Sequence, residues 1–334
     1  MKEILLTIVI PTYNREKRLL NTLKKLESQT NKNFYLVIVD NSSDYDIEKM
    51  LKNNIGNDLR KKTELRKNNV NIGMVGNLSK IMILSKTEWL WTLSDDDEPI
   101  NNAVDLIYKE IEEANNKLGM ISFEGIADDI ITAQRGKKKE IIIKDLNELI
   151  DRCYFRKTKV KDLQIIFLST GIYNVKLLNK YLINSFTYGN TYIPQSIPII
   201  LSLYDKAIEV KFVSKVLVKY IPPDSEFWDG IKVTLGMSTI SHLPLELNKK
   251  DFGKLMELVT WFEPKSIFLW CIGKEEYFRR YYNLIYYNSY IYSYSFKRKI
   301  KAFIFLKLLN FPLTYNFFKI LKKVYKNYKL KEKK

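Results

Sequence analysis

Leu6-Thr7-Ile8-Val9-Ile10-Pro11-Thr12-Tyr13-Asn14-Arg15 is the stretch whose reading decides the fold. Residues 6–10 are apolar but for Thr7 and mostly β-branched, the pattern of a strand covered on both faces. Pro11 has no ladder N–H to give, so it closes the run. Residues 15–28 then place Leu19, Leu20, Leu23 and Leu26 at helical spacing. A covered strand, a polar loop and an amphipathic helix make the first half of a βαβ unit, and the pattern recurs downstream. Strands are expected at 35–39, 64–66, 89–93 and 120–123, and helices at 45–55, 75–84 and 102–115. Further strands are expected at 165–168, 207–212 and 216–220, and helices at 175–182 and 196–204. The expected class is α/β, a doubly wound, mostly parallel sheet with helices on both faces. Pro222-Pro223 breaks the pattern, and the chain beyond it reads as helical, aromatic and basic. Two regions follow, an α/β one over 1–220 and a smaller helical one over 221–334.

Composition narrows the chemistry. The 334 residues are 46% hydrophobic and 13% aromatic, enough for a sizeable core. Cys153 and Cys271 stand far apart and His242 is the single histidine, which excludes a disulfide framework and a Cys/His zinc site. Histidine catalysis would rest on His242 alone, and a lone His between Ser241 and Leu243 reads as a surface or core residue. The first apolar run ends at Pro11 without a small-residue cleavage site. No uncharged stretch reaches the roughly 18 residues of a spanning helix. A cytoplasmic protein with reduced cysteines is expected.

Ligands of an open parallel sheet bind at the carboxyl ends of its strands. The loops to inspect are Pro11-Thr12-Tyr13-Asn14-Arg15, Asp40-Asn41-Ser42-Ser43-Asp44 and Ser94-Asp95-Asp96-Asp97. Three adjacent aspartates at one strand end repel one another and resist burial unless a cation neutralises them. Mg²⁺ or Mn²⁺ fits, because each takes oxygen ligands and completes its shell with substrate phosphates. The same acids could cap the helix expected near Asn101. Asp40, a second carboxylate at a strand end, favours a site, since it can accept hydrogen bonds from a ribose or base.

At these residues the sequence resembles the family 2 glycosyltransferases. Residues 7–15 are similar to that family's opening strand and loop, and Val37-Ile38-Val39-Asp40-Asn41-Ser42-Ser43-Asp44 to its second nucleotide-binding segment. Asn71-Ile72-Gly73-Met74-Val75-Gly76-Asn77 resembles its Asn-x-Gly segment, and Leu93-Ser94-Asp95-Asp96-Asp97 its Asp-x-Asp metal motif. The resemblance covers about the first hundred residues, in the family's order and spacing. It implies a GT-A fold, a divalent metal (Mn²⁺ or Mg²⁺) and an inverting hexosyl transfer from a nucleotide-sugar donor. Carried over by position, Pro11, Thr12 and Asn14 line the base pocket with Arg15 close by. Asp40 holds base or ribose, Asn71 joins the donor site, Asp95 meets the ribose, and Asp96 or Asp97 meets the metal. The family's general base is an acid in the later part of the domain. Residues 188–196 carry none, which leaves Asp224, Glu226 and Asp229 as substitutes.

Charge sets the remaining expectation. From Lys297 onward there are 13 basic residues and one acid, so +12 of the net +17 lies in that tail. Phe317, Leu321, Val324 and Tyr328 share one helical face there, with lysines on another. Tyrosines 281, 282, 286, 287, 290, 292 and 294 precede it. Basic amphipathic helices and aromatics both favour the lipid headgroup zone. The expected partners are the nucleotide sugar, a glycan or lipid-linked acceptor, and the anionic inner face of the cell membrane, with no nucleic acid. Three other readings compete. A nucleic-acid binder would have no use for Asp40 and residues 95–97. A nucleotidyltransferase would carry a Gly-rich, basic first loop. A decayed, non-catalytic relative would explain the missing acid.

Overall fold

The computed structural model describes residues 3–126, 140–155, 163–221, 230–272 and 277–311, together with 317 and 320. The chain opens β1 (Leu6–Thr12), α1 (Glu16–Glu27), β2 (Tyr35–Asp40), α2 (Ile47–Asn54), α3 (Asn57–Arg60), β3 (Thr63–Lys67), α4 (Gly73–Ile81) and β4 (Trp89–Thr92). It continues β5 (Asp97–Pro99), α5 (Ala103–Glu112), β6 (Leu118–Ile126), β7 (Ile141–Ile143), α6 (Leu146–Phe155), β8 (Gly171–Asn174), α7 (Asn184–Thr187), α8 (Ile197–Tyr204) and β9 (Glu209–Tyr220). These strands form one sheet in the order β3-β2-β1-β4-β8-β6-β9-β5, with β7 also on β9. β1, β2, β3, β4, β6 and β9 point one way, and β5, β7 and β8 run against them. The α/β class with a mostly parallel sheet is therefore observed.

β1 is the axis of the site because it pairs in parallel with β2 on one side and β4 on the other. Its alternation sends Leu6, Ile8 and Ile10 into a core shared with Leu19, Leu23 and Leu26 of α1 and Val104, Ile107 and Ile111 of α5. Thr12 pairs with Asp40, which brings the ends of β1 and β2 level.

Several expectations needed correction. Residues 165–168 do not form a strand. Gln164–Ile166 and Leu168–Thr170 are 3-10 turns, and the strand falls six residues later, at β8. The turns are pinned by polar bonds that apolar patterning does not reveal: Trp91 Nε1 donates to the Ser169 carbonyl (2.9 Å) and Thr92 Oγ1 to that of Leu168 (2.7 Å). The helix expected at 175–182 is a set of turns around a short 3-10 segment, Asn179–Tyr181. There Val175 N still bonds back to the Glu88 carbonyl, as a strand would. The two strands expected at 207–212 and 216–220 are one, β9, whose register against β6 shifts along its length.

The chain divides into two compact units. The first is Met1–Leu149, Gln164–Gly189 and Ile193–Phe227, and the second is Ile150–Leu163, Asn190–Tyr192 and Trp228–Lys334. The second unit contains α9 (Gly230–Ser238), α10 (Lys249–Val259), α11 (Pro264–Cys271), α12 (Tyr277–Asn288) and α13 (Phe296–Asn310). Its own core gathers Ile231, Ile267, Phe268, Tyr282, Ile285, Tyr290, Ala302, Leu306 and Leu309. Among the described residues no helix is long and apolar enough to cross a membrane.

Candidate active site

A cavity of about 320 Å³ opens at the carboxyl ends of β1, β2 and β4. It is lined by Pro11, Thr12, Tyr13, Arg15, Asn41, Asn71, Gly73, Met74, Asn77, Leu78, Ser94, Asp95 and Leu168. A larger cavity, about 770 Å³, lies at the amino ends of the same strands, beside Glu3, Ile4, Asn33 and Lys62. Volume alone would choose the larger one. Its acids, Glu3, Asp105 and Glu112, are exposed. The smaller cavity has buried carboxylates beside it, at the edge where open sheets bind ligands, and chemistry outweighs volume here.

The β1 and β2 loops are zipped together. Asn14, in the left-handed region at φ 52°, donates from Nδ2 to Asp44 Oδ2 (2.7 Å) and accepts from Asp44 N (2.8 Å). Asn14 N donates to Ser43 Oγ (2.9 Å), and Ser43 N to Asp40 Oδ1 (2.9 Å). Asp40 is 1% exposed, and its second oxygen, Oδ2, is buried without a hydrogen bond. Lys67 Nζ is 3.9 Å from that oxygen, an ion-pair distance too long for a hydrogen bond. A buried acceptor left in this state is poised for a donor from outside.

Beside it runs an asparagine ladder. Asn68 Nδ2 donates to Asn41 Oδ1 and Asn77 Oδ1, both at 3.0 Å. Asn41 Nδ2 donates to Asn71 Oδ1 (2.8 Å), and Asn77 Nδ2 to the Val39 carbonyl (3.2 Å). Asn71 Oδ1 also takes the N–H of Gly73 (2.8 Å), which sits at φ 76° where a side chain would strain the turn. The ladder fixes the entry to α4 as one wall of the cavity.

The acidic loop after β4 is the electrostatic centre. Asp95 accepts from Thr12 Oγ1 (2.7 Å) and from Arg15 Nη1 (2.9 Å). Asp96 accepts from the same Arg15 nitrogen (2.8 Å), and Arg18 lies 3.5 Å from it. Asp97 accepts from Ser169 Oγ (2.5 Å), and Thr22 Oγ1 ties the carbonyls of Asp95 and Asp97 to α1 (3.0 and 3.2 Å). Burial pushes the Asp95 carboxyl up to about 6, against the pull of Arg15 and Thr12 and with help from Asp96. Burial pushes Asp97 up further, to about 7; the Ser169 bond opposes this, and the charges of Asp96 and Asp95 add to it. Among the described residues no cation pairs with Asp97.

Two buried acids whose carboxyls are raised by desolvation and mutual repulsion fit a cation that supplies the missing charge. The donor atoms are all carboxylate oxygens, the kind Mg²⁺ and Mn²⁺ accept alongside substrate phosphates. Among the described residues no cage of three or more acids, His or Cys is preassembled, and a phosphate-completed site needs none.

The cavity thus brings together Pro11, Thr12, Arg15, Asn71 and Asp95. Asn14 and Asp40 stand behind its β1–β2 wall, and Asp96 and Asp97 lie next to Asp95 outside the lining. Asp224, Glu226 and Asp229 lie outside the described residues, as does most of the tail beyond residue 311. Sequence reading missed Asn68, Leu168 and Ser169. Asn68, one residue past β3, stood at a strand end where polar residues merit inspection. Ser169 stood one residue past the strand expected at 165–168, but nothing in its own sequence pointed to Asp97, 72 positions earlier.

The model of a family described as glycosyl transferase family 2 matches residues 7–177. No curated protein matches the chain by sequence. Among solved structures, S. aureus TarS 1-349 in complex with UDP-GlcNAc is similar over 91% of this chain and 90% of that one, with TM-score 0.63 and 15% identity. A mannosyltransferase, PcManGT from Pyrobaculum calidifontis, in complex with GDP-Man and Mn²⁺, is similar over 97% of this chain and 85% of that one, with TM-score 0.52 and 11% identity. At such identities the likeness is one of fold, and it is the GT-A fold that the sequence resemblance implied.

Proposed function

This chain belongs to glycosyl transferase family 2, and from that premise we propose that it moves a hexosyl group from a nucleotide sugar to a hydroxyl of a glycan or lipid-linked acceptor, with inversion. The observation that carries the reading is the under-compensated carboxylate cluster of residues 95–97 beside the carboxyl-edge cavity. Pro11, Thr12 and Tyr13 form the floor for the nucleoside, with Asn14 bracing the loop. Asp40 Oδ2, buried and short of a donor, accepts from base or ribose. Asp95 takes the ribose and Asn71 closes the opposite side. Arg15 balances Asp95 and Asp96 while no donor is present.

Asp97 and Asp96 are the residues that would hold a divalent cation. Bound there, the cation would stabilise the charge that grows on the diphosphate as the sugar leaves. On the acceptor side a carboxylate removes the hydroxyl proton while the new bond forms on the opposite face of the anomeric carbon. Asp224, Glu226 and Asp229 remain the candidates for that base. The work is expected at the inner face of the cell membrane, with the protein held peripherally.

The related structures hold UDP-GlcNAc in one case and GDP-Man with Mn²⁺ in the other, so uridine and guanosine diphosphate sugars head the donor panel. Each would be incubated with the protein and Mn²⁺, Mg²⁺ or EDTA, and release of nucleoside diphosphate measured. Release with one donor class, abolished by EDTA, is the expected result. Equal release in EDTA, or by an Asp97→Ala variant, would remove the metal assignment. Binding of no nucleotide sugar would remove the function.

A further inference from the structure

α13 has two apolar faces. Its inner face, Ala302, Leu306 and Leu309, is buried in the core of the second unit. The outer face repeats the pattern one turn at a time with Phe296, Ile300, Phe303 and Ile304, which are 74%, 44%, 47% and 49% exposed. A helix that has already filled its share of the core has no folding reason to carry four large apolar residues outward. α12 packs beside it: Asn283 exchanges hydrogen bonds with Asn310 (3.4 and 3.1 Å), and Tyr282 OH donates to the Ala302 carbonyl (3.2 Å). The Tyr286 ring lies 5.2 Å from Tyr287 and 6.4 Å from Phe303. Tyr286 is buried, so it joins Phe303 to Tyr287 from beneath, and α12 carries its own exposed apolar residues, Leu284 and Tyr287, 49% and 59% exposed.

The charge on this helix pair is of one sign. Residues 277–311 contain Arg279, Arg280, Lys297, Arg298, Lys299, Lys301 and Lys307 and no Asp or Glu. Arg298 is buried. On the helical wheel Lys297 and Lys301 flank the apolar stripe on one side and Lys299 on the other. Lys307 lies in line with the stripe, its Nζ 5.2 Å above the Phe303 ring.

We infer that the outer face of the α12–α13 pair inserts into anionic lipid bilayers, its Phe and Ile side chains among the acyl chains and its lysines on the headgroup phosphates. The inference rests on the membrane part of the proposed function and gives it a specific surface. Other occupants satisfy only half of the pattern. A second copy docked face to face would bring one all-basic surface against another. Nucleic acid would take the lysines and leave Ile300 and Ile304 in water. An anionic bilayer accepts both, with apolar side chains below the headgroups and lysine stems reaching back to them.

The test uses the full chain and sedimentation with vesicles of phosphatidylcholine alone, or of phosphatidylcholine and phosphatidylglycerol in equal parts. Wild type should pellet with the anionic vesicles, weaken with salt, and stay in solution with the neutral ones. The triple variant Ile300→Gln, Phe303→Gln, Ile304→Gln should partition roughly 100-fold less. The triple variant Lys297→Gln, Lys299→Gln, Lys301→Gln should lose about fivefold per charge removed. None of these positions lines the candidate active-site cavity, so nucleotide-sugar turnover reports that each variant is folded. An environment-sensitive dye on an Ile304→Cys variant should shift to the blue only with anionic vesicles; Cys153 and Cys271 are buried and would not compete. If wild type binds and the apolar variant binds equally, the surface is wrong while the membrane reading survives. If wild type does not bind, both fail, and the donor assays still judge the catalytic reading. A dye already blue-shifted without lipid, with a doubled mass in solution, would assign the face to a second copy and overturn the inference.

Discussion

Both units of this protein bury charge, and they treat it in opposite ways. In the second unit Arg298 gives its guanidinium to the carbonyls of Glu257 (3.3 Å), Thr260 and Phe262 (2.9 Å), closing the carboxyl end of α10, and stacks over Tyr290 at 5.3 Å. Lys254, 1% exposed, meets Asp151 and Asp251. Glu257 accepts from Tyr154 OH (2.9 Å) and Ser295 N (2.5 Å). Lys254 is met by two counter-charges, Arg298 by three carbonyls and an aromatic face, and Glu257 by a hydroxyl and a backbone N–H with no second acid adjacent to it in sequence. At the carboxyl edge of the first unit, Arg15 pairs with Asp95 and Asp96 and Arg18 with Asp96, while among the described residues Asp97 has no cation, and burial and two like charges beside it push its carboxyl up. A balanced buried charge holds a fold together. An unbalanced one awaits something from outside, and this difference separates the candidate site from the scaffold.

The comparison can be broken at several points. The largest effect is expected at the unbalanced end: Asp97→Ala should lower turnover on the order of 10³-fold, with circular dichroism unchanged. A variant that turns over normally would place the deficit outside the chemistry. Next comes the balanced end. Arg298→Met leaves three carbonyls short of a donor and should cost about 3 kcal/mol of stability, read by urea unfolding. Donor turnover below the unfolding range should persist, and its loss there would contradict a purely structural role. Smaller again is the asparagine ladder. Asn68→Ala removes the bonds to Asn41 and Asn77 and should raise the donor KM about tenfold with a lesser effect on kcat.

The smallest effect concerns a balanced acid within the first unit. Burial works to raise the Glu110 carboxyl, but hydrogen bonds and charge from Lys211 and Lys215 overcome it and hold it below its ordinary 4.5. A depressed acid stabilises the fold above its unfolded value, and that contribution fades as pH falls through the folded one. Glu110→Gln should therefore melt a few degrees below wild type at neutral pH, with the gap closing in acid below 4.5. A gap that widened in acid would show that the lysines do not supply this stabilisation.

Much of this was legible in the sequence, for physical reasons. Residues 6–10, 35–39 and 89–93 are covered strands, so hydrophobic runs marked them, and polar residues at their carboxyl ends marked the site. The acids of residues 95–97 announced themselves by a charge density that burial penalises. What stayed hidden depended on partners distant in sequence. Ser169 reaches Asp97 and Ser94 across some seventy positions. The turns at 164–170 are set by Trp91 and Thr92 rather than by their own apolar residues. The outer stripe of α13 was legible only as an apolar excess, since a wheel cannot tell which face the core will take.

The most direct measurement is anomalous scattering from crystals grown with Mn²⁺ and a nucleoside diphosphate. The expected result is a Mn²⁺ peak against the carboxylate of Asp97 or Asp96, with the nucleoside between the β1 loop and Asn71 and a base or ribose donor on Asp40 Oδ2. A Mn²⁺ peak away from residues 95–97, or a nucleotide seated at the amino ends of the strands beside Tyr108, would contradict the assignment of this edge as the donor site.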